Sequence, residues 1–362
     1  MDNGEKLPIV AICYDFDKTL SPDDMQAQGY IQSVGKDVDE FWKKSNFLAR
    51  ENGMDTNLAY MYMMVQEAYG QFVLNKGKLA EYGSQVQLFP GVEDWFERIS
   101  NYGKEKGVEV EHYIISSGLK EMIEGTAMAQ KGAFKQIYAS SFYYDAKGVA
   151  VWPAQAVNYT NKTQFLFRIQ KGVYDVNDGR VNDYFAPDEI RIPFEHMIYV
   201  GDSDTDVPCM KLVKEKGGYS IGVYNSSSSV LKDKVYKMIK DDRIDYFADA
   251  DYREGQELDT LVKNIINSIS ASNKLRVKHF KDVNETRQYT SQTITKQVAN
   301  VNEPNQSETG YNDYARFNME AFAEAVRQTT MIANKMAQPI WLQEYNRRLE
   351  ALAAFFNPNR NM

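Results

Sequence analysis

The chain has 362 residues, 43% of them hydrophobic and 25% charged, which is the composition of a folded protein of two or three domains and excludes a disordered or collagen-like chain. Lys and Arg number 42 against 50 Asp and Glu, so the net charge of −8 gives no electrostatic reason to expect a nucleic-acid partner. The only cysteines are Cys13 and Cys209, too few for a disulfide-built secreted domain. Without a signal-peptide pattern or a long apolar run, we expect a cytoplasmic protein without a membrane partner.

Short apolar strands alternate with helical segments along much of the chain. Residues 7–14 form a continuous apolar run, as expected for a strand buried on both faces. Three later runs share this character: residues 110–115, 196–200 and 219–223. Apolar residues at helical spacing lie between the runs, at residues 92–106, 162–171 and 207–216. The alternation predicts an α/β fold, a Rossmann-like doubly wound parallel sheet.

The segment after the first strand has a different composition. Residues 22–87 are rich in Met, Tyr, Gln and Lys, with helical spacing in 37–50 and 57–74. We interpret them as an inserted helical domain, and residues 1–21 and 88–270 as the core that it interrupts. A β-hairpin is predicted within the core at residues 142–152.

The C-terminal part is predicted to be a helical extension, residues 271–362. Residues 257–269 should form the last core helix, and the polar stretch 290–310 is typical of a linker. Residues 311–336 and 340–356 then have the pattern of two amphipathic helices. Such a pair packs on the core or forms a homo-oligomer.

Two carboxylates directly follow the first strand, in the sequence Asp15-Phe16-Asp17-Lys18-Thr19. At the carboxyl end of a parallel strand they would lie where open α/β sheets bind ligands. Carboxylates this close repel each other unless a cation binds between them. The alternative is a solvated turn, where acidic residues and Thr are also common.

A second acidic cluster, Asp202, Asp204 and Asp206, follows Gly201 and another short apolar run. Acids at alternate positions suit a hard cation such as Mg²⁺. Acidic residues that cap a helix are the alternative. Two such clusters behind strands of one sheet favour the metal site.

Candidate anion-binding groups lie between the two clusters. Ser116, Ser117 and Gly118 follow a third predicted strand, where hydroxyl and backbone N–H groups form a site for phosphate oxygens. Ser-Gly turns are also frequent without any ligand. Lys162 opens a predicted helix, where a cation opposes the helix dipole. It would neutralise a phosphate or a carboxylate, or be an ordinary solvated lysine.

In their order along the chain, these motifs resemble the four motifs of the haloacid dehalogenase-like hydrolase superfamily. They are Asp15-Phe16-Asp17-Lys18-Thr19, then Ser116, then Lys162, and then Gly201-Asp202 with Asp206. The resemblance implies that Asp15 is a nucleophile that attacks phosphorus. It implies that Asp17 is the general acid and base, since a second Asp is present in the phosphatases and phosphotransferases of that family and absent from its dehalogenases.

The same resemblance implies a Mg²⁺ ion held by Asp15, Asp202 and the backbone carbonyl of Asp17. Asp206 would orient a metal-bound water or Lys162. The phosphoryl oxygens would be bound by Ser116 and Lys162, with Ser117 as a further candidate.

The position of the insertion is similar to the helical C1-type cap of the phosphoserine phosphatase branch. The resemblance therefore implies a Mg²⁺-dependent phosphatase acting on a small phosphorylated metabolite. Aromatic and Met side chains in 41–42 and 60–64 either line a substrate pocket or, as we expect, form the core of the cap. Two other functions share the motifs: a protein that binds phosphorylated ligands or partners with little turnover, and a phosphotransferase or mutase.

Overall fold

The computed structural model describes residues 7–226 and 229–301. Its strands are β1 (Ile9–Tyr14), β2 (Glu109–Leu119), β3 (Gln136–Tyr144), β4 (Ala150–Gln155), β5 (Met197–Gly201), β6 (Tyr219–Tyr224) and β7 (Tyr246–Asp249). Its helices are α1 (Tyr30–Ser33), α2 (Val38–Asn52), α3 (Thr56–Ala68), α4 (Lys76–Gly83), α5 (Val92–Lys106), α6 (Lys120–Gly125), α7 (Ala127–Gln130), α8 (Thr163–Lys171), α9 (Val207–Glu215), α10 (Ser229–Lys240) and α11 (Glu257–Val301). Short 3₁₀ turns lie at Met25–Gln28, Tyr159–Lys162, Gly179–Asn182 and Phe194–His196.

The strands form one seven-stranded sheet in the order β4-β3-β2-β1-β5-β6-β7. All neighbours are parallel except β3 and β4, which form the predicted hairpin at one edge. The predicted doubly wound α/β fold is confirmed. The pattern did not indicate β7, because this four-residue strand is too short and too exposed to form a continuous apolar run.

Both faces of the sheet are covered. Along β1, Val10, Ile12 and Tyr14 point into one buried cluster. Ala11 and Cys13 point into the other. This alternation explains the continuous apolar run, since every position of a strand covered on both faces is buried.

Helices α1 to α4 lie between β1 and α5, where the inserted segment is predicted. The three longer ones begin with side-chain caps, in which Asp37, Asp55 and Asn75 accept hydrogen bonds from backbone N–H groups of the first turn. Phe41, which is buried, packs edge-on against Tyr30 from α1. The inserted segment thus adds aromatic side chains to the buried cluster that also contains Val10, Ile12 and Tyr14 of β1.

Helix α11 differs from the prediction. Its first turns bury Leu258, Val262 and Ile265 as expected, but the helix continues to Val301. The predicted linker is therefore wrong over residues 290–301, which are polar but contain no Gly or Pro to end the helix. The predicted helices 311–336 and 340–356 lie outside the described residues. In the described part of the chain, no helix combines the length and apolar character needed to cross a bilayer.

Candidate functional site

The crevice at the carboxyl ends of β1 and β5 brings the two acidic clusters together. These strands are neighbours in the sheet, and the chain leaves them toward opposite edges, which is where open α/β sheets bind ligands. Asp15 directly follows β1, and its backbone N–H donates to the carbonyl of Val200 at 3.0 Å. Asp202 directly follows β5. The sheet thereby holds two carboxylates from distant parts of the sequence side by side.

Lys162 lies beneath these carboxylates with no exposed surface. Its Nζ donates to Oδ1 of Asp206 at 2.8 Å and lies 3.2 Å from Oδ1 of Asp15. The hydroxyl of Tyr199 donates to the same Oδ1 of Asp206 at 2.9 Å. The backbone N–H and the hydroxyl of Ser203 donate to its Oδ2 at 3.2 and 3.1 Å. Both oxygens of Asp206 are therefore engaged, and this carboxylate fixes Lys162 against Asp15.

Asp15 and Asp202, with Asp206 beside them, fit a divalent cation. One oxygen each of Asp15, Asp202 and Asp206 lies within 4.8 Å of the others, and all three residues are buried. The buried Oδ1 of Asp15 has no partner with hydrogen-bond geometry. Burial, with Asp206 nearby, raises the pKa of Asp15 to about 6, and burial, with Asp206 and Asp15 nearby, raises the pKa of Asp202 to about 8. Repelling, desolvated carboxylates of this kind are stabilised by a hard cation such as Mg²⁺.

Asp17 lies in the turn that leaves β1, and its side chain is not part of this carboxylate group. Its Oδ1 accepts a hydrogen bond from the backbone N–H of Met25 at 2.8 Å. Burial, together with Asp24 and Asp15, raises the pKa of Asp17 well above its usual range. Lys18 has a left-handed backbone, with φ of 59°, and pairs with Asp24 at 2.9 Å. A residue with a strained backbone beside a buried acid is typical of a functional turn.

The Ser116-Ser117-Gly118 segment belongs to β2, whereas the sequence predicts that it follows the strand. The register with β3 shifts between Ser116 and Leu119, so the strand bulges at these residues. The hydroxyl of Ser116 accepts from the N–H of Gly118 at 3.0 Å, and the buried hydroxyl of Ser117 has no partner. A Cβ at Gly118 would come within 2.3 Å of Cε of Met25 and 2.9 Å of Oδ2 of Asp17. A larger residue there would have to displace these two side chains.

A cavity of about 410 Å³ opens above these groups. Of the predicted site residues, five line it: Asp15, Asp17, Ser116, Ser117 and Asp202. Lys162 and Asp206 do not, because they lie fully buried beneath Asp15.

The sequence did not single out the residues of the cavity wall. Thr56 and Asn57 come from the first turn of α3, Asn158 and Tyr159 precede α8, and Lys234 comes from α10. Each is an ordinary polar residue in its own segment, so no local pattern marks it. In the structure Tyr159 is marked out by its left-handed backbone, with a φ of 35°.

The aromatic and Met residues of the inserted segment do not line this cavity. Phe41, Tyr60, Met61 and Met64 are buried in a core cluster that the inserted segment shares with the sheet. The hydroxyl of Tyr60 reaches the backbone of the bulged strand and donates to the carbonyl of Ser117 at 2.8 Å. The inserted segment thereby contacts the serine segment directly.

Comparison with known proteins identifies the protein family of this chain. The sequence profile of haloacid dehalogenase-like hydrolases matches residues 12–211. Over 282 residues the chain is 25% identical to a protein of Borreliella burgdorferi described as uncharacterized, covering 70% of this chain and 95% of that one.

Two solved structures also align with this chain. One is a HAD family hydrolase from Salmonella enterica serovar Typhi, with 19% identity, 63% of this chain and 66% of that one covered, and a TM-score of 0.43. The other is a probable phosphoserine phosphatase from Vibrio cholerae, with 10% identity, 74% and 69% covered, and a TM-score of 0.47. Because the profile match spans more than half of the chain and includes both acidic clusters, the chain belongs to the haloacid dehalogenase-like hydrolases.

Proposed function

We propose that the protein is a Mg²⁺-dependent phosphatase that hydrolyses a small phosphomonoester. The observation that carries the proposal is the convergence of Asp15 and Asp202, two buried carboxylates with raised pKa values, on a small cavity that also contains the acid Asp17. A nucleophile, a metal ligand and a proton donor are the groups that such a hydrolysis requires.

In the first step an oxygen of Asp15 forms a bond to phosphorus while the bond from phosphorus to the ester oxygen breaks. Asp17 gives its proton to that departing oxygen, and the burial that raises its pKa favours the protonated form that this step needs. In the second step Asp17 takes a proton from water, the water oxygen bonds to phosphorus, and the bond to Asp15 breaks. Inorganic phosphate leaves and both carboxyl groups are restored.

The remaining groups of the site bind or balance the negative charge of the phosphoryl group. Mg²⁺, bound by Asp15, Asp202 and the backbone carbonyl of Asp17, would supply positive charge for the phosphoryl oxygens. Ser116 and Ser117 lie on the cavity surface, where their hydroxyls bind those oxygens. Lys162 holds Asp15 from below and adds positive charge beneath the reacting phosphoryl group.

The proposal includes the domain arrangement and setting expected from the sequence. Residues 22–87 act as a helical cap of the phosphoserine phosphatase type over a core of residues 1–21 and 88–270, with 271–362 as an extension through which the chain forms homo-oligomers. The enzyme works in the cytoplasm on a phosphorylated metabolite. Hydrogen bonds from Tyr60 to Ser117 and from Asn57 to Val157 support a cap that closes on the cavity.

The test is a steady-state assay of phosphate release from a panel of small phosphomonoesters, including an aryl phosphate, with Mg²⁺ and with EDTA. We expect phosphate release that depends on the metal. Asp15→Asn should lower its rate by at least about 10³-fold, because the nucleophile that bonds to phosphorus is lost. Asp204→Asn is the matched control, because Asp204 belongs to the same acidic motif but is exposed.

Three results would contradict the proposal. Near wild-type release by Asp15→Asn would exclude Asp15 as the nucleophile. No release from any ester by folded wild-type protein would favour a binding protein, and phosphoryl transfer to a sugar hydroxyl in preference to water would favour a mutase.

A further inference from the structure

Lys234 is a cation on the cavity wall that the proposed reaction does not use. It lies on α10, is half-buried, and faces the same cavity as Asp15 and Asp202. Its charge acts through space on Asp202, whose pKa it lowers, but among the side chains that the structure describes it forms no hydrogen bond or close ion pair. An ammonium group held at a cavity without a partner can bind an anion that enters.

The other cations near the cavity are already paired. Lys18 lies 2.9 Å from Asp24, and Lys162 is bonded to Asp206 at 2.8 Å. Each of these lysines therefore forms an ion pair with a carboxylate of the protein, and neither is placed at the wall to bind the alcohol part of a substrate.

The amide donors on the wall are engaged as well. Nδ2 of Asn57 donates to the carbonyl of Val157 at 2.6 Å, and Nδ2 of Asn158 donates to Asp55 at 2.9 Å. These bonds fix the start of α3 against the segment before α8. They leave the ammonium of Lys234 as the free charged donor among the described wall residues.

Most residues that line the cavity are polar or charged. Pro22 and Tyr159 are the exceptions among the described lining residues. The cavity volume of about 410 Å³ is near the lower end for small-molecule sites, which run from roughly 300 to 1,000 Å³. A small polar alcohol fits these walls.

We propose that Lys234 binds an anionic group on the alcohol part of the substrate, so that the enzyme prefers small phosphomonoesters carrying a second negative charge. A carboxylate and a second phosphate share the chemistry that an ammonium group recognises. The inference rests on the proposed phosphatase function and adds to it the class of substrate.

The test compares two esters that differ only in the second charge. Glycerate 3-phosphate has a carboxylate where glycerol 3-phosphate has a hydroxymethyl group. A second pair, fructose 1,6-bisphosphate and fructose 6-phosphate, asks whether a phosphate serves as the second anion. For wild-type enzyme we expect a higher kcat/KM for the more anionic member of at least one pair, and that pair identifies the anion.

In Lys234→Gln, kcat/KM for the preferred anionic ester should fall about tenfold, mainly through KM, because one charge-assisted contact is lost. For the less anionic member of the pair, kcat/KM should change by less than about twofold. Lys234→Arg keeps the charge and should keep most of the preference. Lys237→Gln is the matched control, an exposed lysine on the same helix that does not line the cavity.

An equal loss for both members of a pair would mean that Lys234 contacts the reacting phosphoryl group, and the inference would be wrong. It would also be wrong if Lys234→Gln kept the wild-type preference, or if wild type showed no preference in either pair. These outcomes all require wild-type turnover, so they are distinct from the failure of the phosphatase proposal, in which no ester releases phosphate.

Discussion

Lys162 shows how tightly the charges beneath the cavity depend on one another. Burial alone would lower the pKa of its ammonium group, but Asp15 and Asp206 outweigh burial and raise that pKa above its usual range. The three side chains are all buried. Without the lysine, two carboxylates would face each other in a poorly solvated space, which costs far more free energy than an exposed pair.

We expect Lys162→Met to lower the free energy of unfolding by about 3–5 kcal/mol, because it leaves buried carboxylates without their cation. The double variant Lys162→Met/Asp206→Asn should be less destabilised, since it removes one of those charges and keeps an acceptor for Tyr199. Urea unfolding at neutral pH with EDTA measures both. An unfolding free energy of Lys162→Met within about 1 kcal/mol of the wild-type value would contradict this dependence.

At the scale of elements, α4 of the inserted segment packs directly on α6, the helix that follows the serine segment of β2. A Cβ at Gly125 would overlap the backbone carbonyl of Ala80, and one at Gly83 would overlap that of Met122. The two backbones touch because neither glycine has a side chain. This contact attaches one end of the inserted segment to the core next to Ser116 and Ser117.

Gly125→Ala should therefore destabilise the protein by about 1–3 kcal/mol, because the helices must move apart to admit one methyl group. Gly77→Ala in α4 is the matched control. Its Cβ would make only an ordinary contact of 3.5 Å with Asn75, so a change between neutral and about 1 kcal/mol of stabilisation is expected. Thermal unfolding of both variants checks this. Equal stability of the two would show that the backbones are not in contact.

At the scale of the whole molecule, His112 connects β1, α5 and β2 in the interior. Its ring nitrogens lie 3.0 Å from the hydroxyl of Tyr14, 3.1 Å from that of Ser100 and 3.1 Å from the carbonyl of Phe96. Burial lowers the pKa of His112 from 6.5 to about 4 because the charged ring is poorly solvated there. The folded protein therefore keeps this histidine neutral.

Stability should depend on pH through this residue. The stabilisation is fully present above pH 6.5 and is lost as pH falls toward 4, because the unfolded chain takes up the proton first. Between pH 7 and 4, wild type should lose up to about 3 kcal/mol more unfolding free energy than His112→Gln. Urea titrations across this range measure the difference, with His279→Gln, which changes an exposed histidine, as control. The same pH slope in wild type and His112→Gln would contradict the assignment.

The sequence by itself determined the features that depend on neighbouring residues. Continuous apolar runs predicted the central strands, because burial on both faces requires apolar side chains at every position. Carboxylates directly after two such runs predicted that Asp15 and Asp202 meet, because the carboxyl ends of parallel strands lie at the same edge of the sheet. The structure brings these residues together as predicted, with Asp206 beside them.

Only the tertiary structure decided the features that depend on residues far apart in the chain. Thr56, Asn158 and Lys234 meet at one cavity although they belong to three separate segments. Lys162 lies beneath Asp15, away from the cavity surface, where it pairs with both Asp15 and Asp206. No local pattern contains these contacts: burial and distance arise only when distant elements pack against one another, so the sequence supplied the reacting carboxylates and the fold supplied the cavity around them.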